Sequence, residues 1–232
     1  IKPHLNIKVM KKKILIIFGT RPEAIKVFPV INELNKNKKY FDLKICLTGQ
    51  HKQMLNQVLD FFEIKPHLNI KVMKKNQSLE ELTSNIITKI SLIIKKIKPD
   101  LVLVHGDTTS SFAASIASFY NKVKVAHIEA GLRTNNLYSP WPEEINRSLI
   151  SKIAQIHFAP TLTAKKNLEI EGIDKSKIIV TGNTVVDSLL ITSNKIFKLN
   201  SIKKRLEKKF SYIKKNKRMI LVTGHRRENF GK

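Results

Sequence analysis

Val125-Ala-His-Ile-Glu-Ala-Gly-Leu-Arg-Thr-Asn-Asn-Leu-Tyr-Ser-Pro-Trp-Pro-Glu-Glu-Ile-Asn-Arg147 contains, in one stretch, the grammar that the rest of the chain repeats. An apolar, strand-like run ends in Glu129, Gly131 breaks it, a loop carries Arg133 and Tyr138, and Pro142 with Glu143 opens a helix. Four other segments close the same way, with small or charged residues just past a β-branched run: Ile14 to Arg21, Ile45 to His51, Leu101 to Thr109 and Met219 to Arg227. In an open parallel sheet, ligands bind beyond the carboxyl ends of the strands. The five segments are therefore expected to converge on one cleft.

Working outward, apolar runs and helical patterns alternate. Ile14 to Phe18 reads as a strand buried on both faces, and Pro22 with Glu23 suits the start of a helix over residues 23–35. Further strands are expected at 43–47, 68–72, 101–104, 123–128, 156–158 and 178–180, with helices at 50–62, 78–97, 110–120, 143–152 and 163–171. This alternation implies an α/β fold, a Rossmann-like doubly wound parallel sheet. That domain should span residues 10–190. Residues 191–218, polar and lysine-rich, read as a helical connector, and 219–232 as the first strand and turn of a second domain that is only begun. Residues 1–12 recur letter for letter as 64–75. The first copy is read as a duplicated extension, disordered over 1–9, with the working chain starting near Met10.

The chain has 232 residues and a formal charge of +25, which invites a nucleic-acid reading. Its lysines, however, are dispersed among Ile and Asn without aromatic interleaving or a helix-turn-helix pattern, so a solvated lysine-rich surface is the better account and no nucleic-acid partner is expected. No apolar run reaches membrane length. Cys46 lies inside an apolar run, as a buried thiol would, and a reducing cytoplasm fits. Neither a P-loop nor a three-glycine dinucleotide fingerprint is present, and one His and one Asp two residues apart (His105, Asp107) make a weak metal site.

Several polar residues have plain structural readings. Asp107 at a strand end could cap the next helix. Glu144 can pair with Arg147 at helical spacing, and Arg133 can pair with a neighbouring acid. His127 and His157 read as satisfied core histidines, and Trp141 as a packed loop anchor between two prolines.

In order along the chain, Phe18-Gly-Thr-Arg-Pro-Glu-Ala-Ile-Lys26, Thr48-Gly-Gln-His51, Leu103-Val-His-Gly-Asp-Thr-Thr109, His127-Ile-Glu-Ala-Gly-Leu-Arg133, Leu137-Tyr-Ser-Pro-Trp-Pro-Glu-Glu144, Thr181-Gly-Asn-Thr184 and Leu221-Val-Thr-Gly-His-Arg-Arg227 closely resemble the non-hydrolysing UDP-N-acetylglucosamine 2-epimerases. The resemblance implies two Rossmann-like domains, as in B-type glycosyltransferases, and a homodimer. It implies interconversion of UDP-GlcNAc and UDP-ManNAc through a glycal. It also implies a catalytic set of Asp107, Glu129, Glu143 and His225, with Arg21 and Lys26 joining Asp107, Glu129 and His225 in substrate contact. Gln50, His51 and Gln53 fall where some bacterial members bind a second, activating UDP-GlcNAc. No metal or nicotinamide is implied. Because the family's second domain supplies most uridine and diphosphate contacts, the chain as given is expected to turn over little or no substrate. The hydrolysing branch of the family, and a basic binding module without catalysis, are the competing readings.

Overall fold

The computed structural model describes residues 10–49, 52–74, 76–213 and 216–222, with the side chains of Lys52 and Gln53 excepted. The extension 1–9, Gln50, His51, the side chain of Gln53 and His225 therefore lie outside the described residues. In chain order the elements are β1 (Lys12–Phe18), α1 (Arg21–Lys36), β2 (Phe41–Leu47), α2 (Lys52–Phe61), β3 (Leu68–Asn69), α3 (Leu79–Ile97), β4 (Leu101–His105), α4 (Thr109–Tyr120), β5 (Lys124–Ile128), α5 (Glu143–Ile153), β6 (Ile156–Ala159), α6 (Leu162–Ile170), β7 (Ile178–Val180), α7 (Thr184–Lys198) and α8 (Asn200–Lys209). The packing divides the chain after Ser188 into a first unit holding the sheet and a second unit from Leu189 onward, whose described helices are the remainder of α7 and α8.

All seven strands are parallel, in the order β3-β2-β1-β4-β5-β6-β7. The order reverses between β1 and β4, and that switch point opens a crevice at the carboxyl edge. Because successive strand residues face opposite sides, each strand feeds two cores. Leu15, Ile17, Val102, Val104 and Val125 pack with Leu82, Ile86, Ile90 and Ile94 of α3 on one face. Ile14, Ile16, Phe18, Leu103, Ala126 and Ile128 pack with Ala24, Val27 and Ile31 of α1 on the other. The four-residue spacing on α3 makes one continuous buried stripe, and Ser78 caps that helix by accepting from the Glu81 N–H.

Pro29 sits inside α1 and, having no N–H, leaves the carbonyl of Ile25 without its helical donor. The Ser188 hydroxyl of α7 donates to that oxygen, and Ser188 is buried. The helix defect thus becomes the anchor for the start of α7.

Two expected elements differ. The third strand pairs in regular register over only two residues, Leu68 and Asn69; Lys71 beyond them is left-handed (φ 44°), although the N–H groups of Ile70 and Val72 still donate to the Leu47 and Thr48 carbonyls. Met219–Val222, expected as a strand, is not paired in a sheet among the described residues. A strand persists only where a neighbour takes up its hydrogen bonds.

Candidate active site

At the carboxyl edge, the corners after β1, β4, β5 and β7 and the start of α5 bring together the charged residues that the sequence singles out. Glu129 follows β5 directly in the left-handed region (φ 64°), a conformation costly for any residue bearing a Cβ and held only where its surroundings fix it. Those surroundings are polar. Lys26 Nζ lies 2.8 Å from Glu129 Oε1 and 2.6 Å from Oε2, and Asn183 Nδ2 donates to Oε2 at 3.1 Å. Lys26 comes from α1 and Asn183 from the corner after β7, so three separate parts of the edge meet on this carboxylate.

Asp107, past the end of β4, receives Arg147 Nη2 at 2.9 Å on its Oδ2, while its backbone oxygen accepts from Asn146 Nδ2 at 2.9 Å. Burial raises the Asp107 carboxyl to about 6; Arg147 opposes that rise, and the negative charges of Glu143, Glu129 and Glu23 add to it. A carboxyl with its midpoint there exchanges a proton readily near neutral pH. Glu143, half-buried at the first position of α5, is close enough to Asp107 to contribute to that repulsion.

The structure also sorts the structural readings. Arg147 Nε is 3.4 Å from Glu144 Oε2, as helical spacing anticipates, but its Nη2 is on Asp107, an additional partner that spacing does not reveal. Glu144 is buried and its Oε1 accepts from the N–H groups of Thr134 and Asn135, pinning the preceding loop. Arg133 makes a bidentate pair with Glu171 at 2.6 and 2.8 Å, outside the carboxylate cluster. Thr108, not Asp107, caps α4. His127 and His157 are fully buried and adjacent in register, yet not fully satisfied: His127 Nε2 meets the Gly106 carbonyl at 2.7 Å while its Nδ1 has no partner, and His157 has only a loose contact with the Ala154 backbone. Trp141 is not a packed anchor; it is 59% exposed. Arg21 is exposed, its guanidinium reaching the Met54 sulfur at 3.8 Å. Cys46 is buried, and burial pushes its thiol up to about 12, which makes it an inert core residue.

Sequence reasoning missed the roles of Asn183 and Glu23. Asn183 lies in the quoted Thr181-Gly-Asn-Thr184 motif, where only the motif itself signalled importance. The Glu23 signal was the Thr20-Arg-Pro-Glu23 pattern of a capping box, which the structure forms in full.

A family profile for UDP-N-acetylglucosamine 2-epimerase matches residues 32–232. The chain is 56% identical over 219 residues to UDP-N-acetylglucosamine 2-epimerase of Neisseria meningitidis, covering 94% of this chain and 58% of that protein. It is 47% identical over 220 residues to the Escherichia coli K12 enzyme of the same name, covering 95% of this chain and 58% of that protein. The chain thus spans a little over half the length of the curated relatives it matches. The crystal structure of the Neisseria enzyme bound to UDP-GlcNAc superposes with a TM-score of 0.90, over 94% of this chain and 58% of that one, at 56% identity. A Methanocaldococcus jannaschii epimerase in complex with UDP-GlcNAc and UDP superposes with a TM-score of 0.78 at 36% identity, over 84% of this chain and 53% of that one. A lipopolysaccharide outer core galactosyltransferase, at 16% identity and a TM-score of 0.54, shares the fold alone. On the strength of the matched profile and the near-complete alignment, this chain belongs to the UDP-N-acetylglucosamine 2-epimerase family.

Proposed function

We propose that the carboxylate cluster of this chain serves the non-hydrolysing interconversion of UDP-GlcNAc and UDP-ManNAc. The observation that carries the reading is the meeting of Asp107, Glu129 and Glu143 with Lys26 and Arg147 at the switch-point edge. A hydrogen on a carbon bearing an acetamido group is weakly acidic, so its removal must be coupled to departure of the C1 substituent. A carboxylate takes the C2 proton, the C1–oxygen bond breaks, UDP leaves and a glycal remains. A proton is then delivered to the opposite face of C2 and a UDP oxygen re-forms the bond at C1. Two faces demand at least two acid/base groups, and Asp107, with a midpoint near 6, is the member best poised to exchange a proton. In this reading the two faces are shared among Asp107, Glu129 and Glu143.

Arg21 and Lys26 contact substrate oxygens in this reading, Lys26 leaving Glu129 in part as sugar enters; Arg supplies a bidentate clamp. His225 is assigned to the departing phosphate by its match to the family motif, since a cation there stabilises developing charge. Gln50, His51 and Gln53 form an activator site. In the complete enzyme a second Rossmann-like domain supplies the uridine and diphosphate contacts, the functional unit is a homodimer, and the setting is cytoplasmic. Among the described residues no helix is long and apolar enough to cross a membrane.

The test is to join residues 10–232 to the C-terminal part of the Neisseria relative and incubate the product with UDP-GlcNAc in deuterated water. The reading expects UDP-ManNAc carrying deuterium at C2. Free ManNAc would assign the hydrolysing branch instead, and absence of C2 exchange would overturn the proposal.

A further inference from the structure

The chemistry proposed above leaves the most extensively bonded acid of the carboxyl edge unused. Glu23 is 2% exposed. Its Oε2 accepts from the N–H groups of Gly19 at 3.0 Å and Thr20 at 2.7 Å, while its Oε1 meets Thr108 Oγ1 at 2.8 Å and Ser111 Oγ at 3.1 Å. A capping box accounts for one glutamate oxygen, used on the start of its own helix. Here the second oxygen crosses from α1 to the start of α4. Ser111 Oγ in turn lies 2.6 Å from the His105 carbonyl, which ties the network to the end of β4.

The two corners so joined are the ones that carry the charged site. The first holds Arg21 and, one turn later, Lys26; the second holds Asp107, the residue before Thr108. We infer that Glu23 is a positioning residue, a buried brace that fixes the spacing of these corners and keeps a stationary negative charge behind Asp107. Its place in catalysis rests on the epimerase reading; its place in the structure does not.

Geometry and charge are separable by substitution. In Glu23→Gln the amide oxygen still accepts from Gly19 and Thr20, and the amide nitrogen donates to the rotatable hydroxyls of Thr108 and Ser111, so the brace survives and the charge is lost. In Glu23→Ala both are lost, and the buried Gly19 N–H and the half-buried Thr20 N–H lose their acceptor. The groups facing Asp107 are Arg147 and Glu143 from α5, Glu129 from the end of β5, and Glu23 from α1; only the last changes.

The experiment uses the 232-residue chain without any nucleotide sugar, so its failure is distinct from failure of the epimerase reading. Amide hydrogen exchange at Gly19 and Thr20 and a carboxyl-carbon titration of Asp107 are recorded for the parent chain and both variants. Glu23→Ala is expected to lose about tenfold or more of the protection at both amides, and Glu23→Gln to retain it. The Asp107 midpoint is expected to fall in Glu23→Gln, a change that a purely structural role would not produce. Unchanged protection in Glu23→Ala, or an unchanged Asp107 midpoint in Glu23→Gln, would overturn the inference. Should Glu23→Ala fail to fold, the Asp107 midpoint in Glu23→Gln decides alone.

Discussion

The two ends of the same parallel sheet treat charge in opposite ways. At the amino edge, Lys11, Lys13, Lys38 and Lys44 line a cavity of about 440 Å³ beside Asp42 and His67. Its ion pairs are surface pairs: Lys12 with Asp100 at 3.5 Å and Lys44 with Asp42 at 3.0 Å, every partner more than a third exposed. At the carboxyl edge, Glu23 and Glu144 are buried, Glu129 keeps only 10% of its side chain exposed and Asp107 28%, and each has named donors. The chain-wide charge of +25 describes the first edge and hides the second. Where charge is solvated it contributes little to stability; where it is buried, each group needs a partner and its titration moves.

The largest effect expected is on acid stability, and it comes mainly from histidines buried within the sheet. Burial lowers His105 and His127 to about 3 and His157 to about 4. Because these rings bind protons less readily folded than unfolded, they contribute stability above about pH 6.5 that is lost as pH falls toward their folded values. Between pH 6.5 and 4 each loses on the order of 3 kcal/mol, a sum comparable with a domain's whole net stability of about 5–15 kcal/mol. Unfolding near pH 4–5 by circular dichroism is the expected result; a chain folded at pH 3.5 would break the comparison.

Asp107 has the opposite sign. Its folded midpoint lies above the unfolded one, so its ionisation costs stability as pH rises through about 6. Asp107→Asn, which keeps an acceptor for Arg147, is expected to stabilise the fold at pH 8 by roughly 1–3 kcal/mol, less any loss of the ion pair, with the gain vanishing by pH 4. Denaturant titrations at the two pH values check this.

The anchor beneath the same edge gives a smaller, purely geometric effect. Ser188→Ala leaves the Ile25 carbonyl without a donor and should cost about 1–3 kcal/mol. In a Pro29→Ala background the restored helical N–H should reduce that cost to near zero; additivity across the double-mutant cycle would contradict the arrangement. At the amino edge, Lys12→Gln should change stability by less than about 1 kcal/mol, and a larger change would erase the contrast between the edges.

The fold was legible because its signal is repeated: β-branched runs such as Ile14 to Phe18 and the four-residue stripe of α3 state strand and helix independently. The candidate site was legible as a set of corners, but not as a set of contacts. Nothing in the spacing of Asp107 and Arg147, or of Lys26 and Glu129, announces a pair, because a parallel sheet brings together strand ends far apart in sequence. Glu23 was rightly read as a helix-start charge, but a capping box specifies one of its carboxylate oxygens and is silent about the other. Met219–Val222, unpaired among the described residues, makes the same point: composition states a preference, and pairing depends on a neighbour.

The role proposed for the carboxyl edge is proton chemistry at the sugar C2. It is tested most directly by deuterium incorporation at C2 of UDP-GlcNAc, using residues 10–232 joined to a relative's C-terminal part, with and without Asp107→Asn and Glu129→Gln. The account predicts exchange in the parent and at least about a hundredfold slower exchange in each variant, with substrate affinity little changed. Exchange at the parent rate in both variants would place the chemistry elsewhere and contradict it.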